Sequence, residues 1–300
     1  MRTVPGSPSP DDTSIFEEWR TLLFGIAYRM LGSAADAEDM VQEAWVRWLQ
    51  RGEGEIDSVR AYLVTIVTRL CIDQLGSARA QRVTYAGPWL PEPVVQDDTS
   101  ALEQADSLSL AFLVLLEELT PPERAAYLLH DVFGYQFDEV ARTMGRTTTG
   151  CRQLASRARS RIENRRQRFD ADAVHGRELT RRFVVACATG DLEGLTEMLA
   201  EDVVVWTDGG GVVRAAMRPV VGRYRSSRFL MNVAKKLSGS PREVTLNGQP
   251  GMIFVDEDHV VATLVLDILE GKVIAVRSVT NPQKLEHLWQ ELAPGERSIH

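Results

Sequence analysis

Between Ile15 and Arg82 apolar residues recur three and four positions apart, the spacing that buries one face of a helix. Gly32 and Ser33 interrupt this run, and Ser33 with Asp36 supplies a capping pattern for a second helix. Ala37, Met40, Val41, Ala44, Trp45 and Trp48 form its apolar stripe, leaving Glu38, Asp39, Gln42 and Glu43 as an acidic, amide-bearing face. A glycine-containing loop over 51–57 precedes a third helix, expected over 58–80. Farther on, Phe137, Val140, Ala141 and Met144 make a short helix, Gly145 offers a turn, and Thr147 or Thr148 caps a second helix buried along Cys151, Leu154, Ala155, Ala158 and Ile162. After about residue 172 the pattern changes. Helices are expected over 175–189, 192–199 and 222–237, and strands over 203–206, 243–246, 252–255, 259–269 and 272–279, with Asp208 and three glycines as a turn. Helices followed by a curved antiparallel sheet predict an α+β cone.

Charge sharpens this picture. From Arg142 to Arg168 nine arginines face one acid, Glu163, a local +8 in a chain of net charge −8. The exposed side of the second of these short helices carries Thr149, Arg152, Gln153, Ser156, Arg157 and Arg159, groups able to reach phosphates or donate to base edges in a major groove. A charge run alone also fits a solvated helix; the preceding helix and turn make it a helix-turn-helix. The third helix sets Arg60, Tyr62, Thr65, Arg69 and Arg79, with Arg82 just beyond, against Asp73 alone. Basic groups beside an aromatic suit an unpaired strand.

The remaining composition mostly excludes. No run of eighteen apolar residues occurs, and 1–13 is expected to be a disordered polar leader on a cytoplasmic protein. Cys71, Cys151 and Cys187 are odd in number and far apart, and the five histidines lack ligand spacing, so no disulfide framework, structural metal or cofactor is expected. Residues 84–100 contain Tyr85-Ala-Gly-Pro-Trp-Leu-Pro-Glu-Pro and an acidic stretch, too proline-rich for a helix. Two readings stand: a plain spacer, or a segment docked through Trp89.

The strings Phe24-Gly-Ile-Ala-Tyr-Arg-Met-Leu-Gly, Asp36-Ala-Glu-Asp-Met-Val-Gln-Glu-Ala-Trp and Ala61-Tyr-Leu-Val-Thr-Ile-Val-Thr-Arg-Leu-Cys-Ile-Asp-Gln-Leu resemble region 2 of the extracytoplasmic-function (sigma-70 family, group 4) sigma factors. Leu119-Thr-Pro-Pro-Glu-Arg-Ala-Ala-Tyr and the helix ending Cys151-Arg-Gln-Leu-Ala-Ser-Arg-Ala-Arg resemble their region 4. The resemblance implies a leader (1–13), sigma region 2 (14–83), a Pro/Trp-containing linker (84–105), sigma region 4 (106–169) and a SnoaL-like domain of the nuclear-transport-factor-2 fold (172–300). It implies that Asp39, Gln42 and Glu43 dock the beta-prime clamp helices of RNA polymerase core, with the beta flap as a further contact of the core. It further implies that Arg51, Arg60, Tyr62, Thr65 and Arg69 serve the minus-10 element, and Thr148, Thr149, Arg152, Gln153, Ser156, Arg157 and Arg159 the minus-35 element.

A third set of strings is similar to one group within this family that carries a fused SnoaL-like domain: Trp89-Leu90-Pro91-Glu-Pro, Asp208-Gly209-Gly210-Gly211, and Asn281-Pro282-Gln-Lys284-Leu285, with Gln283 where Asp is expected. The resemblance implies an in-cis regulator needing no separate anti-sigma factor. The working expectation is that Trp89 and the glycine loop help the third domain meet the first two. Cones of this kind can hold a small ligand, and Asp208, Asp256, Asp267 and His259 are the titratable candidates, yet no spacing pairs them for catalysis. No catalytic residue is assigned. Rival readings are a ligand-sensing helix-turn-helix regulator and a DNA-tethered isomerase or cyclase.

Overall fold

The computed structural model describes residues 10–52, 56–82, 85–95, 109–163 and 173–292. By their contacts the residues divide into two compact units, one of 1–81 with 115–166 and one of 82–114 with 167–300.

The first unit is all-helical. Helices α1 (Pro10–Leu31), α2 (Ala34–Leu49) and α3 (Val59–Arg82) follow the expected pattern. Ser33 caps α2 by accepting from the Asp36 amide at 3.1 Å. Helix α1 begins at Pro10, inside the span expected as leader (1–13), with Asp11 and Asp12 in its first turn, where a proline needs no amide partner and carboxylates face the positive helix end. Residues 1–9 lie outside those described. The core runs through Leu23, Ile26, Ala27, Val41, Ala44, Leu63, Val64 and Val67, all buried.

After α4 (Leu110–Leu116), helix α5 (Pro121–Tyr127) starts at a Thr120–Glu123 capping box and passes into a single π turn over Leu128–Val132. Helix α6 (Phe137–Met144) ends at Gly145, whose φ of +63° is the left-handed conformation that glycine adopts at least cost. The Thr147 hydroxyl then accepts from Gly150 at the start of α7 (Thr148–Glu163). This is the expected helix-turn-helix, with α7 buried along the five predicted positions.

The second unit holds α8 (Ala173–Thr189), α9 (Leu192–Met198), α10 (Arg223–Ala234) and α11 (Pro282–Leu292) around a six-stranded sheet. Its strands are β1 (Leu199–Asp208), β2 (Val220–Val221), β3 (Ser240–Leu246), β4 (Gln249–Asp256), β5 (His259–Leu269) and β6 (Lys272–Val279), in spatial order β2-β1-β6-β5-β4-β3. All neighbours are antiparallel except β1 and β6. Helices α8, α9 and α10 close one core with the sheet through Phe183, Leu195, Met198, Val205, Leu230, Leu264, Leu266 and Val276. This is the expected α+β cone. Strand β1 is longer than predicted because exposed Glu201 and Asp202 sit at a register shift that breaks its alternation. Helix α11, absent from the sequence reading, packs on β5 and buries Leu285 and Leu288.

Candidate promoter-binding and regulatory site

On α2, Asp39 and Gln42 are exposed and Glu43 is half-exposed, paired with Arg47 at 2.9 Å one turn on. Val46, 43% exposed, continues the same face, an apolar member that the acidic pattern concealed. The predicted acidic surface thus exists as one face of a helix.

The residues expected to serve the minus-10 element are not free. Arg51 stacks on Trp48, 3.6 Å from the ring centroid, donates to the Trp48 carbonyl at 2.7 Å and pairs with Asp12. Arg60 donates to the Tyr135 hydroxyl at 3.0 Å, and Arg69 donates to the carbonyl of Thr143 at 3.0 Å. The latter is the C-terminal turn of α6, where unsatisfied carbonyls and the helix dipole favour a cation. The Thr65 hydroxyl donates to the Ala61 carbonyl one turn back, and the Tyr62 ring lies 6.1 Å from Trp48. The side chains of Arg79 and Arg82 lie outside those described.

On α7 the structure divides the expected set. Thr149, Arg152, Gln153 and Ser156 are exposed along one face, with Thr148 half-buried at its start. Arg152 also lies 5.6 Å from the Phe137 ring centroid. Arg157 and Arg159 turn to acids instead. Glu123, 3% exposed, accepts from Arg157 at 3.0 Å and from Arg161 at 2.5 Å, while Asp131 accepts twice from Arg159 at 2.6 and 3.1 Å. Burial alone would raise the Glu123 carboxyl; its hydrogen bonds from Thr120 and its two arginines outweigh that and hold it below the ordinary carboxylate range. Arg124, buried beside it, donates to Met30 at 2.5 Å and pairs with Glu117 at 2.9 Å, tying α5 to the end of α1. Burial lowers its pKa to about 9.

In the second unit the three family strings converge on Asp208, which has no exposed surface. One carboxylate oxygen accepts from the Tyr85 hydroxyl at 2.6 Å and the Gly210 amide at 3.0 Å; the other accepts from the Leu90 amide and from Lys284, both at 2.8 Å. Lys284 also donates to the Leu90 carbonyl and stands 4.2 Å from the Trp89 ring centroid. Asn281 donates to the Tyr85 hydroxyl at 3.1 Å. Burial, then the bond to Asp208, pushes the Tyr85 phenol up. The glycines are required: Gly210 has φ +62°, and a Cβ there would overlap the Asn281 amide, as one at Gly209 would overlap the Val213 carbonyl. Pro91 is buried, and Pro282 exposed.

Asp208 is therefore more than the turn aspartate of the sequence reading. Within this unit Trp89 faces Lys284, whose ammonium pairs with Asp208 at the head of the glycine loop. Residues 85–95 are accordingly no plain spacer. The Val94 amide donates to the Asn247 side chain at 3.1 Å, its carbonyl accepts from the Asn247 amide at 2.9 Å, and Val95 bridges Leu246, covering part of the open edge of β3. His287 donates to the Pro93 carbonyl at 2.8 Å. Residues 96–108, including the acidic stretch, lie outside those described.

A half-open cavity of about 1000 Å³ sits at the mouth of the cone, with Phe229, Val233, Val261 and Trp289 among its walls, Arg214, Lys236, Asp258 and Glu286 as its charged groups and His259 beside them. The other titratable candidates are not gathered there: Asp208 pairs with Lys284, and Asp267 with buried Arg277. The three cysteines are free and buried, with thiols raised by burial. Among the described residues no cluster of three metal-ligating side chains occurs, and no helix is long and apolar enough to cross a membrane.

Residues 15–81 match the family model described as Sigma-70 region 2, and residues 109–162 that described as Sigma-70, region 4. The chain is 37% identical to the ECF RNA polymerase sigma factor SigJ of Mycobacterium tuberculosis over 291 residues, covering 91% of this chain and 93% of the relative. It is 33% identical to the probable ECF RNA polymerase sigma factor SigI of the same organism over 285 residues, covering 92% and 95%. The crystal structure of SigJ superposes with a TM-score of 0.72 at 35% identity, covering 91% of this chain and 97% of that one. The chain therefore belongs to the extracytoplasmic-function sigma factors of the sigma-70 family, with an α+β unit after its two sigma regions, and is an alternative sigma factor for promoter-directed transcription initiation.

Proposed function

We propose that the free chain is a self-restrained sigma factor whose minus-10 residues become available only when core polymerase draws them away from the helix-turn-helix. One observation carries this: Arg60 and Arg69 spend their guanidinium groups on Tyr135 and on the carbonyl end of α6. A partner that binds the separated state better shifts the population toward it. Asp39, Gln42 and Glu43 would dock the beta-prime clamp helices, with the beta flap taking region 4. Arg51, Arg60, Tyr62, Thr65 and Arg69 would then serve the minus-10 element. Thr148, Thr149, Arg152, Gln153 and Ser156 would face the minus-35 bases, with Arg157 and Arg159 setting the pose of α7 and reaching phosphates.

The functional division follows 14–83, 84–105, 106–169 and 172–300. The last of these acts as a regulator in cis, without catalysis or a separate anti-sigma factor, in the cytoplasm. Its lever is the connector: because 85–95 are pinned through Asp208, Asn247 and His287, fewer residues are free between α3 and α4 to let region 2 and region 4 part. A small ligand in the cavity beside α11 would bias the same element. The test is promoter output with purified core for the full chain carrying Trp89→Ala or Asp208→Ala. Output raised severalfold supports the lever; output equal to the parent chain, while a chain ending at Arg168 differs, rejects it.

A further inference from the structure

A second segment of the chain matches the charge of the helix-turn-helix. Gly209 to Arg242 carries eight basic residues and no acid, a net +8 that the sigma regions do not use. On α10 the exposed side chains Tyr224, Arg225, Arg228 and Asn232, followed by Lys235, fall on one face at helical spacing. Exposed Arg214 and Arg218 stand on the loop before it, and Tyr224 is 72% exposed. No ion pair holds Arg214, Arg218, Arg225, Arg228 or Lys235 among the described residues, unlike Arg157, Arg159 and Arg161 on α7.

We propose that this stripe is a sequence-independent contact for the phosphate backbone of duplex DNA flanking the promoter elements. From Tyr224 to Lys235 the helix rises about 17 Å. One strand of duplex places a phosphate every 3.4 Å or so along the axis, so the stripe spans about five of them. Guanidinium groups suit phosphate because their planar fork donates to two oxygens at once. An acidic protein face would satisfy the charge but not the continuous row. In a chain of net −8, such a local patch draws a polyanion only at short range, hence after promoter engagement has brought duplex near.

The inference rests on promoter binding by the assembled polymerase, and the test separates the two. Core polymerase with the full chain is titrated against a promoter duplex at increasing potassium chloride, for the parent and for Arg225→Gln/Arg228→Gln/Lys235→Gln. Specific start sites from the parent establish promoter binding independently. The triple variant is expected to keep those start sites and core affinity, bind promoter and unrelated duplex more weakly by the same factor, and lower the slope of log affinity against log salt by about 0.9 per lost contact, two to three in all. An unchanged slope overturns the proposal. So does an equal fall in Arg177→Gln/Arg182→Gln, which removes exposed charge elsewhere in the same domain, and so does a loss of core affinity, which would assign the stripe to an acidic face of polymerase.

Discussion

Asp208 and Lys284, seventy-six positions apart, form an ion pair at 2.8 Å with side chains 0% and 7% exposed, and each also holds the backbone of Leu90. One carboxylate and one ammonium thereby join the glycine loop, the helix after the sheet, and the connector that lies between the two sigma regions in sequence.

Removing one partner strands the other in a buried site. Asp208→Asn is expected to destabilise the C-terminal unit by about 3 to 5 kcal/mol, because the buried ammonium loses its counter-charge. Asp208→Asn with Lys284→Met should recover part of that loss. Urea unfolding followed through a tryptophan signal of this unit checks both; equal midpoints for parent and single variant would show that the pair is not structural.

The tail after β6 cannot be trimmed as a separate element. Truncation after Asn281 removes α11, whose Leu285 and Leu288 are 2% and 0% exposed, together with Lys284. Burying two leucines contributes about 1.5 to 3 kcal/mol each, so the shortened unit should show lost cooperativity in thermal unfolding.

Glu123 sets how α7 is held. Glu123→Gln weakens its bonds to Arg157 and Arg161, whose half-exposed ends limit the cost to about 1 to 2 kcal/mol. The carboxyl is held below its ordinary value of 4.5 in the folded chain, so its contribution is fully present above that value and disappears as pH falls through the lower, folded one. Acid unfolding of the parent should therefore steepen below about pH 4.5, the unperturbed carboxylate range, and flatten in Glu123→Gln.

Base reading and helix positioning should separate on α7. Arg152→Ala and Gln153→Ala are expected to relax minus-35 preference by about 1 to 3 kcal/mol per lost base contact. Arg159→Ala should instead lower affinity alike on all sequences and loosen the joint to Asp131. Binding measured across a set of single-base minus-35 variants tells the two patterns apart.

Much of this was legible from periodicity and caps. The boundaries of β5 and β6 coincide with prediction, and Gly145 and Thr147 mark the helix-turn-helix turn because they change what the backbone can do locally. Helix α11 is legible too, in Leu285, Leu288 and Trp289 at helical spacing after Pro282. What sequence does not reveal is which acid each arginine meets. Arg157 and Arg152 look alike along α7, and only the fold brings Glu123, thirty-four residues earlier, beneath one of them. Asp208 likewise has the neighbours of a turn residue in sequence, while its burial comes from Tyr85, Leu90 and Lys284, all distant.

The most direct test of a sigma factor regulated in cis is transcription from fragmented genomic DNA by purified polymerase core, with transcripts sequenced, comparing the full chain with one ending at Arg168. Specific starts sharing minus-35 and minus-10 elements are expected from both proteins, at higher output once the pinned connector is released. No specific starts and no binding to core from either protein, or identical output from the two, would contradict this.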